Sequence, residues 1–364
     1  MNHHTIEEHL MQNAAIQNVP ITGSMELLPL CNMNCDMCYV RLNQSEMERT
    51  GKIHLAEEWI EIGRQMQKSG VLFLQLTGGE PLLYPGFKEV YLALRNLGMI
   101  ITINTNGTLL DEAWADFFSQ HKPRRINITL YGASSEAYKE LCHYEKGFEK
   151  TLNAIKLLKK RNVDVKLNGI IVQKNKGEET KLLDIAVRIG VPINIDTYIY
   201  PASRERSAPF NQQSRLSPAE AARSRISILK QAETKTEFIE SAKRFLDKAK
   251  NPVSSPSEKM RCLAGKSSFA INWQGNLQPC VMLNDPCVSV FDRGFEDAWK
   301  TVADEVKKIR LNPVCSECTK RDVCQICVAC ALHESGCFYG IPEYMCQYTD
   351  EILNGLEQEL NDYE

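Results

Sequence analysis

The fourteen cysteines of this 364-residue chain limit its fold and chemistry more than any other feature. Three of them form a knot near the N-terminus, Cys142 stands alone, and ten lie between Cys262 and Cys346. A disulfide framework is typical of small secreted domains, and residues 1–18 lack the charged and apolar regions of a signal peptide. We therefore expect a cytoplasmic protein with two metal-binding regions, separated by a cysteine-free stretch from 143 to 261.

Charge and hydropathy exclude several classes of partner. The 43 basic and 46 acidic residues give a net charge of −3, which does not predict binding to nucleic acid or to an anionic membrane. No apolar run approaches the roughly 18 residues that a membrane span requires. With 43% hydrophobic residues, the chain has ordinary globular composition and can bury a sizeable core.

Short apolar runs alternate with amphipathic segments from about residue 25. This alternation predicts an α/β fold with a parallel sheet, and its extent fits a partial (β/α)6 TIM-like barrel rather than a full eight-unit barrel. The predicted strands are Met25–Leu30, Leu72–Leu76, Ile100–Asn104, Ile126–Leu130, Val165–Val172 and Ile193–Thr197. The predicted helices between them are Ala56–Lys68, Phe87–Leu97, Leu110–Gln120, Gly147–Lys160 and Lys181–Ile189, with Asp111 and Ser134 or Ser135 as N-caps.

Five segments follow from these patterns. They are an N-terminal extension (1–24), the partial barrel (25–200), a helical bridge and linker (201–257), a small cysteine-rich module (258–350) and a C-terminal helix (351–364). The bridge contains a polar segment, Pro201–Arg215, and two helices within Pro218–Lys250. The module contains a hairpin at Phe269–Cys280 and a helix at Glu296–Ile309.

The N-terminal knot directly follows the first predicted strand and has the spacing C-x3-C-x2-C. Its members are Cys31, Cys35 and Cys38. Three thiolates at this spacing can reach three corners of an iron–sulfur cube, which leaves one iron without a protein ligand and open for chemistry. The alternatives are a zinc site completed by an outside ligand, and three buried structural thiols.

The knot resembles the signature of the radical S-adenosylmethionine (SAM) superfamily. The resemblance implies a catalytic [4Fe–4S] cluster on the three thiolates, with the amino and carboxylate groups of SAM chelating the fourth iron. Met37 replaces the family's usual aromatic residue before the third cysteine, and Tyr39 follows that cysteine. Because the family's main chain contacts adenine here, Met37 and Tyr39 are candidate cofactor-binding residues.

A second motif, Thr77-Gly78-Gly79-Glu80-Pro81, ends the second predicted strand. Taken alone it is a Gly-Gly turn with a solvated glutamate. After the cysteine knot it resembles the family's GGE motif, which implies that Gly78, Gly79 and Glu80 bind the SAM amino group. By position at the next strand ends, the resemblance also implies that Asn106 and Thr129 line the SAM ribose and carboxylate, with Asn168 a weaker candidate.

The C-terminal cysteines carry a third pattern, which resembles the SPASM extension of peptide-modifying radical SAM enzymes. Taken alone, its C-x2-C pairs also fit two structural zinc sites. The resemblance implies one or two auxiliary [4Fe–4S] clusters. Auxiliary cluster II would take Cys315, Cys318, Cys324 and Cys346. Auxiliary cluster I would take Cys262, Cys280 and Cys327. Ser268 occupies the usual position of its fourth ligand, so Cys287, Cys330, Cys337 or an open site remain.

These resemblances imply reductive cleavage of SAM to a 5′-deoxyadenosyl radical that abstracts a substrate hydrogen. The leading expectation is an oxidative crosslink, thioether or carbon–carbon, in a ribosomally made peptide. The alternatives are an anaerobic sulfatase-type maturase that forms formylglycine, an enzyme of small-molecule cofactor synthesis, and a non-catalytic iron–sulfur or zinc protein. Expected partners are an electron donor such as flavodoxin or ferredoxin and a peptide or protein substrate. Only about 24 residues precede the first strand, so the peptide is expected to need a separate leader-peptide recognition protein or direct docking on the barrel rim.

Overall fold

One nine-stranded sheet organises the described residues, 5–200 and 214–363, of this computed structural model. Its spatial order is β6-β5-β4-β3-β2-β1-β7-β8-β9. The strands are β1 (Thr22–Glu26), β2 (Phe73–Thr77), β3 (Ile100–Thr105), β4 (Arg125–Leu130), β5 (Val165–Ile170), β6 (Ile193–Asp196), β7 (Ser268–Ile271), β8 (Asn276–Gln278) and β9 (Val288–Ser289). All pairs from β6 to β7 are parallel, and the last two are antiparallel.

Helices cover the outer face of the sheet and form the bridge to the C-terminal module. The first eight are α1 (Ile6–Gln17), α2 (Gln44–Thr50), α3 (Ala56–Lys68), α4 (Phe87–Asn96), α5 (Glu112–Gln120), α6 (Ser135–Cys142), α7 (Gly147–Lys160) and α8 (Glu179–Ile189). The others are α9 (Pro218–Ala232), α10 (Lys235–Lys250), α11 (Val290–Arg293), α12 (Phe295–Val306), α13 (Pro313–Glu317), α14 (Val328–Ser335) and α15 (Glu343–Asn361). Within the described ranges, each helix is too short or too polar to span a bilayer.

The predicted fold class is confirmed, since β1–β6 alternate with crossover helices in a parallel sheet. Helices α3 and α7 begin and end at the predicted residues. Asp111 and Ser134 cap α5 and α6 by accepting backbone hydrogen bonds, as their position predicted. The predicted hairpin and the two bridge helices are also present.

The first strand begins and ends earlier than predicted. The prediction was Met25–Leu30, whereas β1 covers Thr22–Glu26. The next four residues are apolar and mostly buried, which is why their pattern resembles a strand. Pro29 has no N–H to donate to a ladder, and its carbonyl accepts from the amide of Leu42 in the loop that follows.

Other boundaries depend on capping and packing that hydrophobic periodicity does not report. Helices α1 and α2 were not predicted, and α6 was predicted only by its N-cap; a capping box starts each of the first two, at Thr5 and at Asn43. The C-terminal helix was expected at 351–364 but begins at Glu343, so Cys346 lies in its first turn. The polar segment predicted at 201–215 lies outside the described residues except for its last two positions.

The barrel strands have one apolar face and one polar face. In β2 to β4, fully buried Leu and Ile side chains alternate with half-buried ones, and in β4 the half-buried positions include Asn127 and Thr129. Parallel sheets are usually apolar on both faces. The polar alternation here arises because the inner face lines a cavity rather than a packed core.

The C-terminal module is part of the barrel sheet. Strand β7 pairs in parallel with β1, so Thr22 lies opposite Ser268 and Gly23 opposite Phe269. The contact is tight, because a Cβ atom on Gly23 would lie 2.2 Å from the Phe269 ring. The β1–β7 pair therefore fixes the module against the strand that leads into the cysteine knot.

We expect Gly23→Ala to destabilise the chain by about 1–3 kcal/mol, because the added methyl group overpacks the Phe269 ring. The urea midpoint of unfolding, followed by circular dichroism, measures the loss. The double variant Gly23→Ala/Phe269→Leu should recover most of it by making room. An unchanged midpoint for Gly23→Ala would contradict the tight β1–β7 contact.

Candidate active site

A cavity of about 480 Å³ opens at the carboxyl ends of the barrel strands. The three thiols of the cysteine knot, Cys31, Cys35 and Cys38, lie in its wall. Six of the eight predicted SAM-contacting residues lie there as well, namely Met37, Tyr39, Gly78, Gly79, Asn106 and Thr129. The structure therefore brings together, at one mouth of the barrel, residues from four separate strand ends.

The other two predicted residues, Glu80 and Asn168, do not line the cavity. Asn168 is half-buried on β5, directly opposite Thr129. Glu80 is completely buried. Its carboxylate oxygens accept hydrogen bonds from other groups of the protein. One oxygen accepts from the Thr105 hydroxyl at 2.7 Å and the Leu82 amide at 3.1 Å, and the other accepts from the Asn106 amide at 2.8 Å. A contact between this carboxylate and the SAM amino group stays a prediction.

Glu80 thus ties the ends of β2 and β3 together. Burial raises the pKa of this carboxyl group from 4.5 to about 7, and the three hydrogen bonds it accepts oppose that rise. The backbone amide of Asn106 is among these donors, so the position of the Asn106 side chain in the cavity wall depends on a carboxylate that itself lies outside the cavity.

The two glycines before Glu80 are needed for a close approach of two backbone segments. A Cβ atom on Gly78 would lie 2.5 Å from the Leu28 carbonyl oxygen, and one on Gly79 would lie 2.3 Å from that of Leu30. Gly78 also has a φ of +143°. The amides of Gly79 and Glu80 donate to Leu28 and Leu30 at 2.8 and 2.9 Å. The motif therefore holds the segment that leads into Cys31.

Backbone and side-chain N–H groups point at the knot sulfurs. Cys31 Sγ accepts from the Met33 amide at 3.4 Å and from Asn106 Nδ2 at 3.6 Å, and Cys38 Sγ accepts from the Arg41 amide at 3.3 Å. Such donors orient thiolate ligands and reduce their charge. Burial raises the pKa of Cys31 to about 12, since an isolated thiolate there would lose its hydration. A cationic iron–sulfur core is the kind of group that would offset this cost.

Cys35 is anchored to the C-terminal end of α6. The amides on either side of it, of Asn34 and Asp36, donate to the carbonyls of Cys142 and Leu141 at 3.0 and 3.1 Å. The thiol of Cys142 contacts the Cys35 thiol, and this contact together with burial raises the pKa of Cys35. Cys142 is fully buried, and although it stands alone in the sequence, the fold brings it next to the cysteine knot.

The C-terminal thiols form two spatial groups. In the first, Cys262, Cys280 and Cys327 are close enough to influence one another's pKa. In the second the same holds for Cys315, Cys318, Cys324 and Cys346. Among residues 5–200 and 214–363, no three His, Cys, Asp or Glu side chains are arranged to hold a single metal ion. That these seven thiols are the ligands of auxiliary clusters I and II stays a prediction.

Cys327 is the most acidic thiol of the first group. A hydrogen bond from the Cys330 thiol lowers its pKa to about 6, burial opposes this, and the amides of Cys330 and Ala329 at the start of α14 lower it further. Amides at a helix N-terminus favour a thiolate. The site is therefore suited to a metal-bound sulfur.

Several cavity residues were not identified from the sequence. Tyr198 and Tyr200 follow the end of β6 and line the cavity. Active-site residues of a barrel lie just after the carboxyl ends of its strands, and applying this strand-end rule to β6, as for Asn106 after β3, would have identified both tyrosines. Met282 and Gln325 also line it. They come from the cysteine-rich module, and their only sequence signal is that they lie close to Cys280 and Cys324.

Comparisons with known proteins agree with this geometry. Residues 25–184 match the sequence family described as the Radical SAM superfamily. The AdoMet-dependent heme synthase of Methanosarcina barkeri is 24% identical over 88% of this chain and 95% of its own. The subtilosin biosynthesis protein AlbA of Bacillus subtilis is 24% identical over 78% of this chain and 59% of its own.

Two solved structures share the fold over nearly the whole chain. Native anSMEcpe with bound AdoMet has a TM-score of 0.71 and 17% identity, covering 95% of this chain and 100% of that one. Streptococcus suis SuiB bound to its precursor peptide SuiA has a TM-score of 0.70 and 16% identity, covering 94% of this chain and 80% of that one.

Residues 25–184 therefore form a radical SAM domain. The chain as a whole is similar to radical SAM proteins, among them SPASM-type maturases such as AlbA and SuiB.

The buried carboxyl of Glu80 should make stability depend on pH. Its folded pKa of about 7 lies above its unfolded value near 4.5, so its contribution is fully present below pH 4.5 and is lost as pH rises through 7. As the pH rises from 4.5 to 7, the urea midpoint of the metal-free wild type should therefore fall relative to that of Glu80→Gln. A pH-independent difference between the wild type and Glu80→Gln would rule out the raised pKa.

Proposed function

We propose that this enzyme introduces an oxidative crosslink, thioether or carbon–carbon, into a ribosomally made peptide. The observation that carries the proposal is that one cavity is lined both by the cysteine knot and by residues next to C-terminal cysteines. Its wall contains the three knot thiols together with Met282 and Gln325 of the C-terminal module. A substrate held there would be close both to a radical source and to auxiliary clusters.

A second cavity supports a peptide rather than a compact small substrate. It has a volume of about 280 Å³ and lies where α9, α10 and α15 meet. Asp196, Tyr198 and Gln325 line both cavities. Apolar side chains such as Phe245 and Ile352 form much of its wall. The reacting residue of a peptide would occupy the first cavity and a flanking apolar residue the second.

The chain's own residues would bind, orient and shield the reacting groups. Cys31, Cys35 and Cys38 would hold the catalytic [4Fe–4S] cluster, which with SAM supplies a 5′-deoxyadenosyl radical for hydrogen abstraction. Gly78, Gly79, Asn106 and Thr129 would position SAM, because they line the same cavity as the three thiols. Met37 and Tyr39 would flank the adenine and exclude water.

The two C-terminal thiol groups would hold auxiliary clusters. Cys315, Cys318, Cys324 and Cys346 would bind one of them, and Cys262, Cys280 and Cys327 would bind the other. The support for this assignment is that the seven thiols already lie in these two groups. Reduction of the catalytic cluster would require an electron donor such as flavodoxin or ferredoxin, and peptide recognition would involve a separate leader-peptide recognition protein or docking on the barrel rim.

Two alternatives have support from specific comparisons. The fold of anSMEcpe, shared over 95% of this chain, favours a maturase that oxidises Cys or Ser to formylglycine. The heme synthase of M. barkeri, aligned over 88% of this chain, favours a small-molecule substrate from cofactor synthesis. The second cavity next to the site is the feature that makes us prefer a peptide.

We expect anaerobically reconstituted wild type to bind about twelve irons per chain, and the triple variant Cys31/Cys35/Cys38→Ala about eight, since each cube holds four. With dithionite and SAM, only the wild type should form 5′-deoxyadenosine. Iron and sulfide analysis and chromatography of the nucleoside measure both results.

Cys337→Ala removes an exposed thiol outside both groups and should behave as wild type in this assay. About eight irons in the wild type would mean that one auxiliary cluster forms. Zinc in place of iron, without SAM cleavage, would refute the assignment.

The substrate test starts from the neighbouring genes, where a short Cys-rich open reading frame would encode the candidate peptide. We expect each crosslink to lower the peptide mass by two hydrogen atoms, with fragmentation suppressed between the joined residues in tandem mass spectrometry. An aldehyde that reacts with a hydrazine probe would support formylglycine formation instead. An unmodified peptide, together with turnover of a tetrapyrrole, would support the small-molecule alternative.

A further inference from the structure

The first C-terminal thiol group contains three of the four thiolates that a [4Fe–4S] cube usually takes. Cys262, Cys280 and Cys327 form this group. The fourth position would be either open, so that a substrate atom could bind iron, or closed by another protein thiolate. This difference decides whether the cluster can act as a binding site or only as an electron carrier.

Cys330 is the additional thiol that contacts this group in the described part of the chain. It lies in the first turn of α14, three residues after Cys327, which is the N-cap residue of the same helix. Its exposed fraction is 0%. The Tyr198 hydroxyl lies 3.1 Å from its sulfur, within hydrogen-bond distance.

The helix that carries Cys330 also faces the Cys280 segment. His333 lies three residues further along α14, on the same face as Cys330. Its Nε2 is 3.0 Å from the carbonyl oxygen of Met282, two residues after Cys280. The face of α14 that presents Cys330 is thus packed against the loop that presents another thiol of the group.

The other candidates lie elsewhere. Cys287 and Cys337 are exposed. The pKa of Cys287 responds to burial and to Asp285 and to no thiol. Cys337 Sγ lies 3.9 Å from the hydroxyl of its own neighbour Ser335. Ser268, at the position where relatives have a ligand, begins β7 in the sheet and carries a hydroxyl in place of a thiol.

We propose that Cys330 is the fourth thiolate of auxiliary cluster I. The proposal rests on the proposed function, since it assumes that Cys262, Cys280 and Cys327 hold a cluster. With four protein thiolates, that cluster offers no iron to a substrate and serves in electron transfer. Tyr198 lines the substrate cavity and its hydroxyl contacts Cys330. A substrate in that cavity would therefore be separated from this cluster ligand by one side chain.

The test uses the full-length chain with Cys31, Cys35 and Cys38 changed to Ala, so that spectra report the auxiliary clusters alone. In this background we expect about eight irons per chain, as above. Adding Cys330→Ala should reduce the count to about four, or to about seven with the electron paramagnetic resonance signal of a three-iron cluster. Adding Cys330→Ser should retain iron but shift the midpoint potential and the Mössbauer parameters of one cluster, since a serine oxygen replaces sulfur.

Cys287→Ala and Cys337→Ala are the matched controls and should leave count and spectra unchanged. Cys318→Ala, which removes a ligand of auxiliary cluster II, identifies the cluster whose signal changes. Thermal unfolding of each metal-free variant shows whether a loss of iron reflects misfolding, and the serine variant remains informative where the alanine variant does not fold.

Three results would overturn the proposal. Eight irons and unchanged Mössbauer parameters in Cys330→Ala would show that Cys330 does not bind iron. Loss of iron in Cys287→Ala or Cys337→Ala would move the ligand to that thiol. About four irons in the background chain, all lost on Cys318→Ala, would show that cluster I does not form. The auxiliary clusters of the proposed function would be contradicted as well only if the background chain bound no iron.

Discussion

The buried carboxylate of Glu80 is the contact on which the geometry of the active site depends. It accepts hydrogen bonds from Leu82, Thr105 and Asn106. Asn106 in turn donates to the sulfur of Cys31. One desolvated group outside the cavity therefore sets the distance between the second and third strand ends and the orientation of a donor to the cluster thiol. The adjacent glycines hold the segment before Cys31 from the other side, since no side chain fits between the two backbones.

Much of this arrangement could be predicted from local patterns. The period of the apolar residues located α3 and α7 to the residue, and the strand-end rule located Asn106 and Thr129 in the cavity wall. These predictions succeed because they depend on neighbours in sequence. The burial of Glu80 could not be predicted, because its partners Thr105 and Asn106 are about 25 residues away and become neighbours only when β2 and β3 pair. The contact of Cys142 with Cys35 could not be predicted for the same reason, since it forms only when the fold brings the end of α6 to the loop at Cys35.

The C-terminal cysteines show what the spacing of residues in the sequence can and cannot predict. Spacing and resemblance together divided seven of these cysteines into two proposed ligand sets, and Cys280 and Cys346 each have neighbouring thiols from their own set. Spacing could not choose among Cys287, Cys330 and Cys337, since the choice depends on which side chain α14 presents to the loop after Cys280. The hydrogen bond from His333 to Met282 forms where α14 packs against that loop. Neither segment alone predicts this packing.

The parallel pairing of β1 with β7 also has a consequence for synthesis on the ribosome. Strand β1 is made first, whereas β7 emerges after most of the chain has been completed. During that interval β1 presents an unpaired edge, which is a template for wrong pairing with other chains. A truncation at the linker near Asn251 would make this exposure permanent. The C-terminal module therefore supplies the strand that covers the β1 edge of the barrel sheet, so the module and the barrel share one sheet.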